Sequence, residues 1–346
     1  MASHAKRALA ADAMNGKLLI VGAGSIGERH VLAFRQMGLS VALVDERADR
    51  ATEIAARYGC SSCYASLRKA PLEKFDAAVI ATPADTHIPI ARACARAGLH
   101  LLVEKPLATA LPGTTELIAE CHQKNLTLSI AYVLRFHPAL ECVRQICQEG
   151  VLGRLLSLHT ICHHYLPSSR PDYQRTYYAS ATGGGGVVLD LSHELNYVEW
   201  LLGPLHLSNS RLATVPELGT PGEAIADLSL VSDEGVPAQI HLHAADRQTR
   251  RECHIAGSRA SLTADLLAGE IFLYSSSDRN ERLEYRSERD SWHQAQANDF
   301  LKAIASGARP RCTGEEGLQT LRLCLQAIDK SSSANELINP CKGGEG

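Results

Sequence analysis

Short apolar runs alternate with segments of helical periodicity through the first 130 residues. Residues 18–21 are apolar, a glycine-rich turn follows, and Val31, Phe34 and Met37 then share one side of a helix. Strands at 41–44, 77–81 and 101–103 repeat the unit, and a helix over 113–124 with a strand over 126–131 completes it. Each strand is apolar throughout rather than alternating. That pattern predicts a parallel sheet covered on both faces by helices. After about residue 150 the pattern changes. Longer strands are expected over 154–163, 205–214, 223–231 and 238–244, and shorter ones over 251–256, 261–265 and 270–274. Several alternate polar with apolar, as in "IADLSLVS" and "AQIHLHAA", which predicts a mainly antiparallel sheet with one open face. Helices are expected over 186–202, 291–306 and 314–331. The fold class is therefore α/β. A doubly wound domain over 16–136 precedes an α/β domain over 137–335 with a large open sheet. A flexible extension (1–15) and tail (336–346) flank them.

Composition narrows the classes of function. The 346 residues accommodate two ordinary domains, with 45% hydrophobic and 21% charged residues. A net charge of −3 supplies no basic field for nucleic acid or a membrane surface, and no run of 18 apolar residues predicts a membrane span. The opening "MASHAKRALAADAMN" lacks the apolar core and cleavage site of a secretory signal. Eleven scattered cysteines read as free thiols in a reducing cytoplasm. Cys60 and Cys63 form a C-x-x-C without the second ligand pair that structural zinc requires. In "HTICHHY", His159 and His163 share a strand face while His164 points away. With no carboxylate beside them, no metal is expected.

Gly22, Gly24 and Gly27 form G-x-G-x-x-G between a strand and a helix, with Ser25 and Ile26 opening the helix. The first glycine permits the tight turn, the second admits a pyrophosphate to the backbone, and the third lets helix and strand pack closely. The helix N-terminus then offers free N–H groups to phosphate. Asp45 ends the second strand, eighteen positions after Gly27. A carboxylate there accepts from ribose hydroxyls and repels a 2′-phosphate. NAD is the expected cofactor, and Arg47, two residues on, leaves NADP open.

The stretch "HLLVEKPLAT" places Glu104 and Lys105 at the end of an apolar strand, ahead of Pro106. A lysine there is costly unless paired, so Lys105 is either a reagent or one more surface charge. With "GAGSIGERH", "ATPADTH", "LRFHP", "GGGVVLDLSHELNYVEWLLG" and "AIASGARPRCTGEEGLQTL", the chain resembles the Gfo/Idh/MocA oxidoreductases, the group of glucose–fructose oxidoreductase and inositol dehydrogenase. The resemblance spans roughly residues 17–330.

The resemblance implies that Lys105 lies between nicotinamide and substrate, that Thr82 and Pro83 flank the cofactor with His87 beside them, and that Glu104 orients the nicotinamide end. It also implies a cis peptide before Pro106. The family's Asp and His are spaced D-x-x-x-H, whereas Asp190 and His193 stand one residue closer. On one helix they would still share a face, turned by about 100°. His193 would be the proton acceptor, with Asp190 steadying it or capping the helix. Arg135, beside His137, and the loop residues Tyr173, Arg175 and Tyr177 are candidates for substrate contact.

The expected activity is an NAD(P)-dependent dehydrogenase acting on a secondary alcohol of a sugar, inositol or sugar derivative. "DLSHELNY" and the tyrosine–arginine loop resemble members associated with cell-surface polysaccharide or unusual-sugar biosynthesis, which implies a modified or nucleotide-linked sugar more than free glucose. A homodimer or homotetramer through the open sheet is implied as well. Two other classes share the fold: hydrolases that cleave glycosides by transient oxidation on NAD, and dinucleotide-binding sensors without turnover. The presence of Lys105, Asp190 and His193 weighs against a sensor.

Overall fold

The computed structural model describes residues 16–180, 183–275 and 280–335. The chain divides into two compact units. Of the described residues, one unit holds those from 16 to Glu141 together with Tyr285–Leu321, and the other holds those of Cys142–Glu284 together with those from Arg322 to 335.

The first unit is built on six parallel strands: β1 (Lys17–Val21), β2 (Ser40–Val44), β3 (Ser62–Tyr64), β4 (Ala77–Ile80), β5 (His100–Val103) and β6 (Leu128–Ile130). Their order is β3-β2-β1-β4-β5-β6, the arrangement of a doubly wound dinucleotide-binding sheet with its switch point between β1 and β4. The connecting helices are α1 (Ser25–Gln36), α2 (Ala48–Tyr58), α3 (His87–Arg96) and α4 (Thr114–Gln123). Leu18, Ile20, Val41, Leu43 and Val79 meet Val31 and Phe34 of α1 in one buried cluster. Phe300 and Leu301 join that cluster from α9 (Arg289–Ser306). A helix that follows the second sheet in sequence thus closes the core of the first. The continuous apolar strands match burial on both faces. Three-residue β3 escapes sequence reading because Ser62-Cys63-Tyr64 carries no apolar run.

The second unit contains an eight-stranded sheet ordered β14-β13-β12-β11-β7-β10-β9-β8. Its strands are β7 (Leu155–Tyr165), β8 (Leu205–Ala213), β9 (Ile225–Ser232), β10 (Pro237–His243), β11 (Ala245–Gly257), β12 (Ala260–Asp265), β13 (Glu270–Ser275) and β14 (Glu281–Glu284). Every pairing is antiparallel except β7 with β10. Burial alternates along β9 and β12, as the sequence pattern predicts for a sheet buried on one face. The other helices are α5 (Pro138–Gln148), α6 (Leu166–Ser169), α7 (Val187–Asp190), α8 (His193–Leu202) and α10 (Gly314–Asn335).

One expectation is corrected. The helix over 186–202 is two helices, α7 and α8, separated by Leu191 and Ser192. The two starts are anchored to different parts of the unit. Val187 N–H donates to the Glu223 carbonyl, at 3.0 Å, and Val188 N–H to the Glu223 carboxylate, at 3.1 Å. The first turn of α8 is instead fixed by Glu194, whose carboxylate takes a bidentate pair of bonds from Arg251 of β11, at 2.7 and 2.9 Å.

Candidate active site

The glycine turn shows three distinct steric demands. Gly22 has φ +103°, and a Cβ there would lie 2.5 Å from the Ala81 carbonyl oxygen. A Cβ on Gly27 would collide with the Gly22 carbonyl oxygen, so α1 can seat against β1 only with glycine at that position. A Cβ on Gly24 meets nothing within 4 Å. The second glycine therefore opens onto free space at the N-terminus of α1. There the first-turn N–H groups, including those of Ser25 and Ile26, have no intrahelical acceptor. That is the geometry a pyrophosphate needs, and the turn fits a dinucleotide.

Asp45 stands at the end of β2. Its carboxylate accepts from Ala23 N–H (2.6 Å) and from Arg47 N–H (2.9 Å) and Nε (3.1 Å). Burial alone would push its pKa up, but the Arg47 and Ala23 hydrogen bonds and the Arg47 charge hold it below the ordinary value. Arg47 is 64% exposed, so its side chain can swing away and leave the carboxylate to a ribose hydroxyl.

The ends of β4 and β5 carry the next group. The Thr86 hydroxyl donates to the Pro83 carbonyl (2.7 Å) and lies 2.8 Å from the Thr82 hydroxyl, which fixes the Thr82–Pro83 turn. His87 is buried between the two strand ends. Its Nε2 is 2.9 Å from the Thr82 carbonyl and its Nδ1 3.0 Å from the Pro106 carbonyl. Burial keeps its pKa below the usual value against the pull of those carbonyls. A neutral ring then donates to one carbonyl at a time. His87 thus joins the walls of the turn region from behind. The Lys105–Pro106 peptide is cis, and the Glu104 carboxylate accepts the Lys105 backbone N–H at 3.1 Å.

In the second unit, Asp190 is the hub. Its carboxylate accepts from the hydroxyl of Tyr177 (2.7 Å) and from that of Tyr178. The two phenol rings stack, with centroids 4.5 Å apart, and the Arg170 guanidinium lies 5.7 Å from the Tyr178 ring. Arg170 and His164 both feel the Asp190 charge. A Cβ on Gly185 would lie 2.5 Å from the Tyr178 Cα, so the glycine run admits the tyrosine loop to its place. His193 opens α8 and is buried.

The remaining sequence candidates are placed as follows. Arg175 is exposed. Tyr173 is buried, and its hydroxyl donates to the Leu218 carbonyl at 2.8 Å. Arg135 is 2% exposed and its guanidinium donates to the Arg311 carbonyl at 2.7 Å. These two side chains hold their own unit together. Sequence reading missed Tyr178, Arg170 and His164, whose only sequence signal is proximity to Tyr177 and His163. It also missed His30, three residues past the last glycine of the motif. Among the described residues no group of three or more His, Cys, Asp or Glu is arranged to hold a metal ion.

Comparison with known proteins converges on one group. Residues 17–132 match the family described as "Oxidoreductase family, NAD-binding Rossmann fold", and residues 140–263 match the "GFO/IDH/MocA C-terminal domain". The UDP-N-acetylglucosamine 3-dehydrogenase of Acidithiobacillus ferrooxidans is 26% identical over 321 residues, covering 89% of this chain and 94% of the relative. The myo-inositol 2-dehydrogenase of Thermotoga maritima is 23% identical, covering 88% and 92%. Among solved structures, the A. ferrooxidans enzyme superposes with a TM-score of 0.79 at 25% identity, over 92% of this chain and 98% of that one. A levoglucosan dehydrogenase in complex with NADH shares the fold, with a TM-score of 0.84 at 20% identity over 92% and 97%. With matches to both its nucleotide-binding and its C-terminal parts, the chain belongs to the GFO/IDH/MocA family of NAD-binding oxidoreductases.

Proposed function

We propose that this protein is an NAD-dependent dehydrogenase that interconverts a secondary alcohol and a ketone on a nucleotide-linked sugar. The observation that carries the reaction class is the dinucleotide cradle with Lys105 beside it, backbone held by Glu104. NAD, when bound, supplies the hydride acceptor. Gly24 and the first turn of α1 take the pyrophosphate, and Asp45 takes the ribose once Arg47 moves aside. Lys105 and His193 manage the hydroxyl proton, with His193 as the acceptor because an imidazole titrates near neutrality. Asp190, its rotamer fixed by the two phenols, presents a fixed negative charge to a neighbouring sugar hydroxyl or to the His193 cation.

Two observations support the finer substrate class. The relative that acts on UDP-N-acetylglucosamine aligns over nearly the whole of both chains. The second unit also carries Arg170, Arg175 and Arg247 near its loop and strand ends. Arg247 lines a cavity of about 300 Å³ with Tyr165, Ser168, Ser169 and Thr249, a set of hydroxyls and one guanidinium suited to a phosphate.

We further propose self-association as a homodimer or homotetramer through the open face of the second sheet, which presents polar side chains such as Gln239, His241 and Thr263. A cytoplasmic location accords with the ten described cysteines, all free thiols. Among the described residues no helix is long and apolar enough to cross a membrane.

The test is a screen of purified protein with NAD and NADP against nucleotide sugars, free hexoses, inositols and uronic acids, followed by nicotinamide absorbance. Turnover of UDP-N-acetylhexosamines with NAD is the expected result. Turnover confined to free sugars or inositols would overturn the nucleotide-sugar assignment. Glycoside cleavage without accumulation of NADH would replace the dehydrogenase with a hydrolase.

A further inference from the structure

Glu104 sits at the end of β5 with its side chain 13% exposed, and both carboxylate oxygens are used within the first unit. Oε2 accepts the Lys105 backbone N–H at 3.1 Å, and Oε1 lies 2.8 Å from Nε2 of His30. His30 comes from the middle of α1, where its side chain is fully buried. Because an ionised carboxylate only accepts, the shared proton is donated by His30 Nε2. The other ring nitrogen, Nδ1, is buried and has no hydrogen-bond partner among the described residues. An Nδ1–H there would be a buried donor without a partner among the described residues, whereas a bare lone pair costs less. The geometry therefore places the donated proton on Nε2.

His293 of α9 closes the far side. Its ring meets His30 edge-on, with centroids 5.9 Å apart, and its Nδ1 lies 3.1 Å from the Arg289 carbonyl. Burial, reinforced by the His30 charge, lowers its pKa to about 4, so it adds no charge at neutral pH. Burial would raise the Glu104 pKa, but the His30 hydrogen bond, followed by nearby positive charge, holds it below the ordinary value.

We propose that His30 is a positioning residue for the reaction: its Nε2–H fixes the Glu104 carboxylate, which in turn pins the backbone of Lys105. The chain of contacts runs from the helix that opens on the dinucleotide to the lysine that follows β5. The same residue links the cofactor turn and the reagent with one ring. This inference rests on the assigned role of Lys105 for its catalytic meaning, but its test needs no substrate.

Three variants of the full chain would be compared by amide hydrogen exchange, read on peptides covering residues 104–108. In His30→Leu the ring is replaced by an apolar side chain that still fills the core. The Lys105 amide should then exchange about tenfold faster, the effect of losing a hydrogen bond to a charged group. In His30→Gln the side-chain amide can donate to Glu104, and protection should return towards wild type. Glu104→Gln turns an N–H group towards the Lys105 amide and should also raise exchange. A purely packing role would give Leu and Gln the same exchange. Wild-type protection in His30→Leu would overturn the proposal. Should His30→Leu not fold, unchanged exchange in Glu104→Gln would overturn it equally. Failure of the substrate screen would leave these exchange results untouched, so the two readings fail separately.

Discussion

Lys105 concentrates the functional argument into one side chain. Removing it deletes the proposed proton-handling group while leaving the glycine turn and Asp45 in the sequence. Lys105→Ala should therefore lower kcat by about 10²–10⁴-fold, the usual contribution of a positioned acid or base. The Kd for NAD, read by calorimetry, should stay within about twofold if the lysine acts on the substrate and not on cofactor affinity. Loss of NAD binding instead would move Lys105 into the cofactor-binding set. The glycine turn was legible in the sequence because its signal is local: fixed spacing, a strand before and a helix after. His30, Tyr178 and Arg170 were not, because their meaning lies in contacts across 74, 12 and 8 positions. The reverse also holds. Tyr173 and Arg135 look like ligand residues by type and position, and the structure shows the Tyr173 hydroxyl on the Leu218 carbonyl and an Arg135 N–H on the Arg311 carbonyl.

At the scale of elements, the seating of α1 and α8 can be tested separately from chemistry. Gly24 has φ −69° and open space at its Cβ, so Gly24→Ala should fold with an unchanged Tm. Its methyl group would then occupy the phosphate's approach, and NAD affinity should fall about tenfold or more. Gly27→Ala should behave in the opposite order. The collision with the Gly22 carbonyl must push helix from strand, costing about 1–3 kcal/mol of stability, visible as a lower denaturation midpoint even without cofactor. Equal effects of the two variants on Tm would refute this division of roles. For α8, the Glu194 side chain is wholly buried and its charge is matched by Arg251. Arg251→Leu leaves that carboxylate buried and uncompensated, and should cost about 3–5 kcal/mol in urea titration. The same pair explains part of what the sequence concealed. Strands were readable from continuous or alternating apolarity, and the two sheet types followed. The break between α7 and α8 was not legible, and the Glu194 partner in the first turn of α8 lies 57 residues away, beyond any local signal.

The whole molecule carries a net charge of only −3, so its pH response is governed by local burial more than by global repulsion. Seven described histidines, His87, His100, His159, His163, His164, His243 and His293, have pKa values held below 6.5, with burial as the first cause. Such a group favours folding in its neutral form. Its contribution is fully present above the unfolded value of 6.5 and is lost as pH falls toward the folded value, about 4 for His293. Between those limits the unfolded chain binds more protons than the folded one, so stability must fall with acidification. The depressed carboxylates Glu28, Asp45 and Glu104 extend the loss below about pH 4.5. Glu223 and Asp299, whose pKa values burial raises, oppose it, but two groups stand against seven histidines whose titration begins first. Tm measured by calorimetry should therefore decline steadily from about pH 6.5 to 4. His293→Phe retains an aromatic ring against His30 and removes one titrating site, so its Tm should fall less over that interval than wild type. A wild-type Tm that rises on acidification would mean the histidines are charged in the folded state.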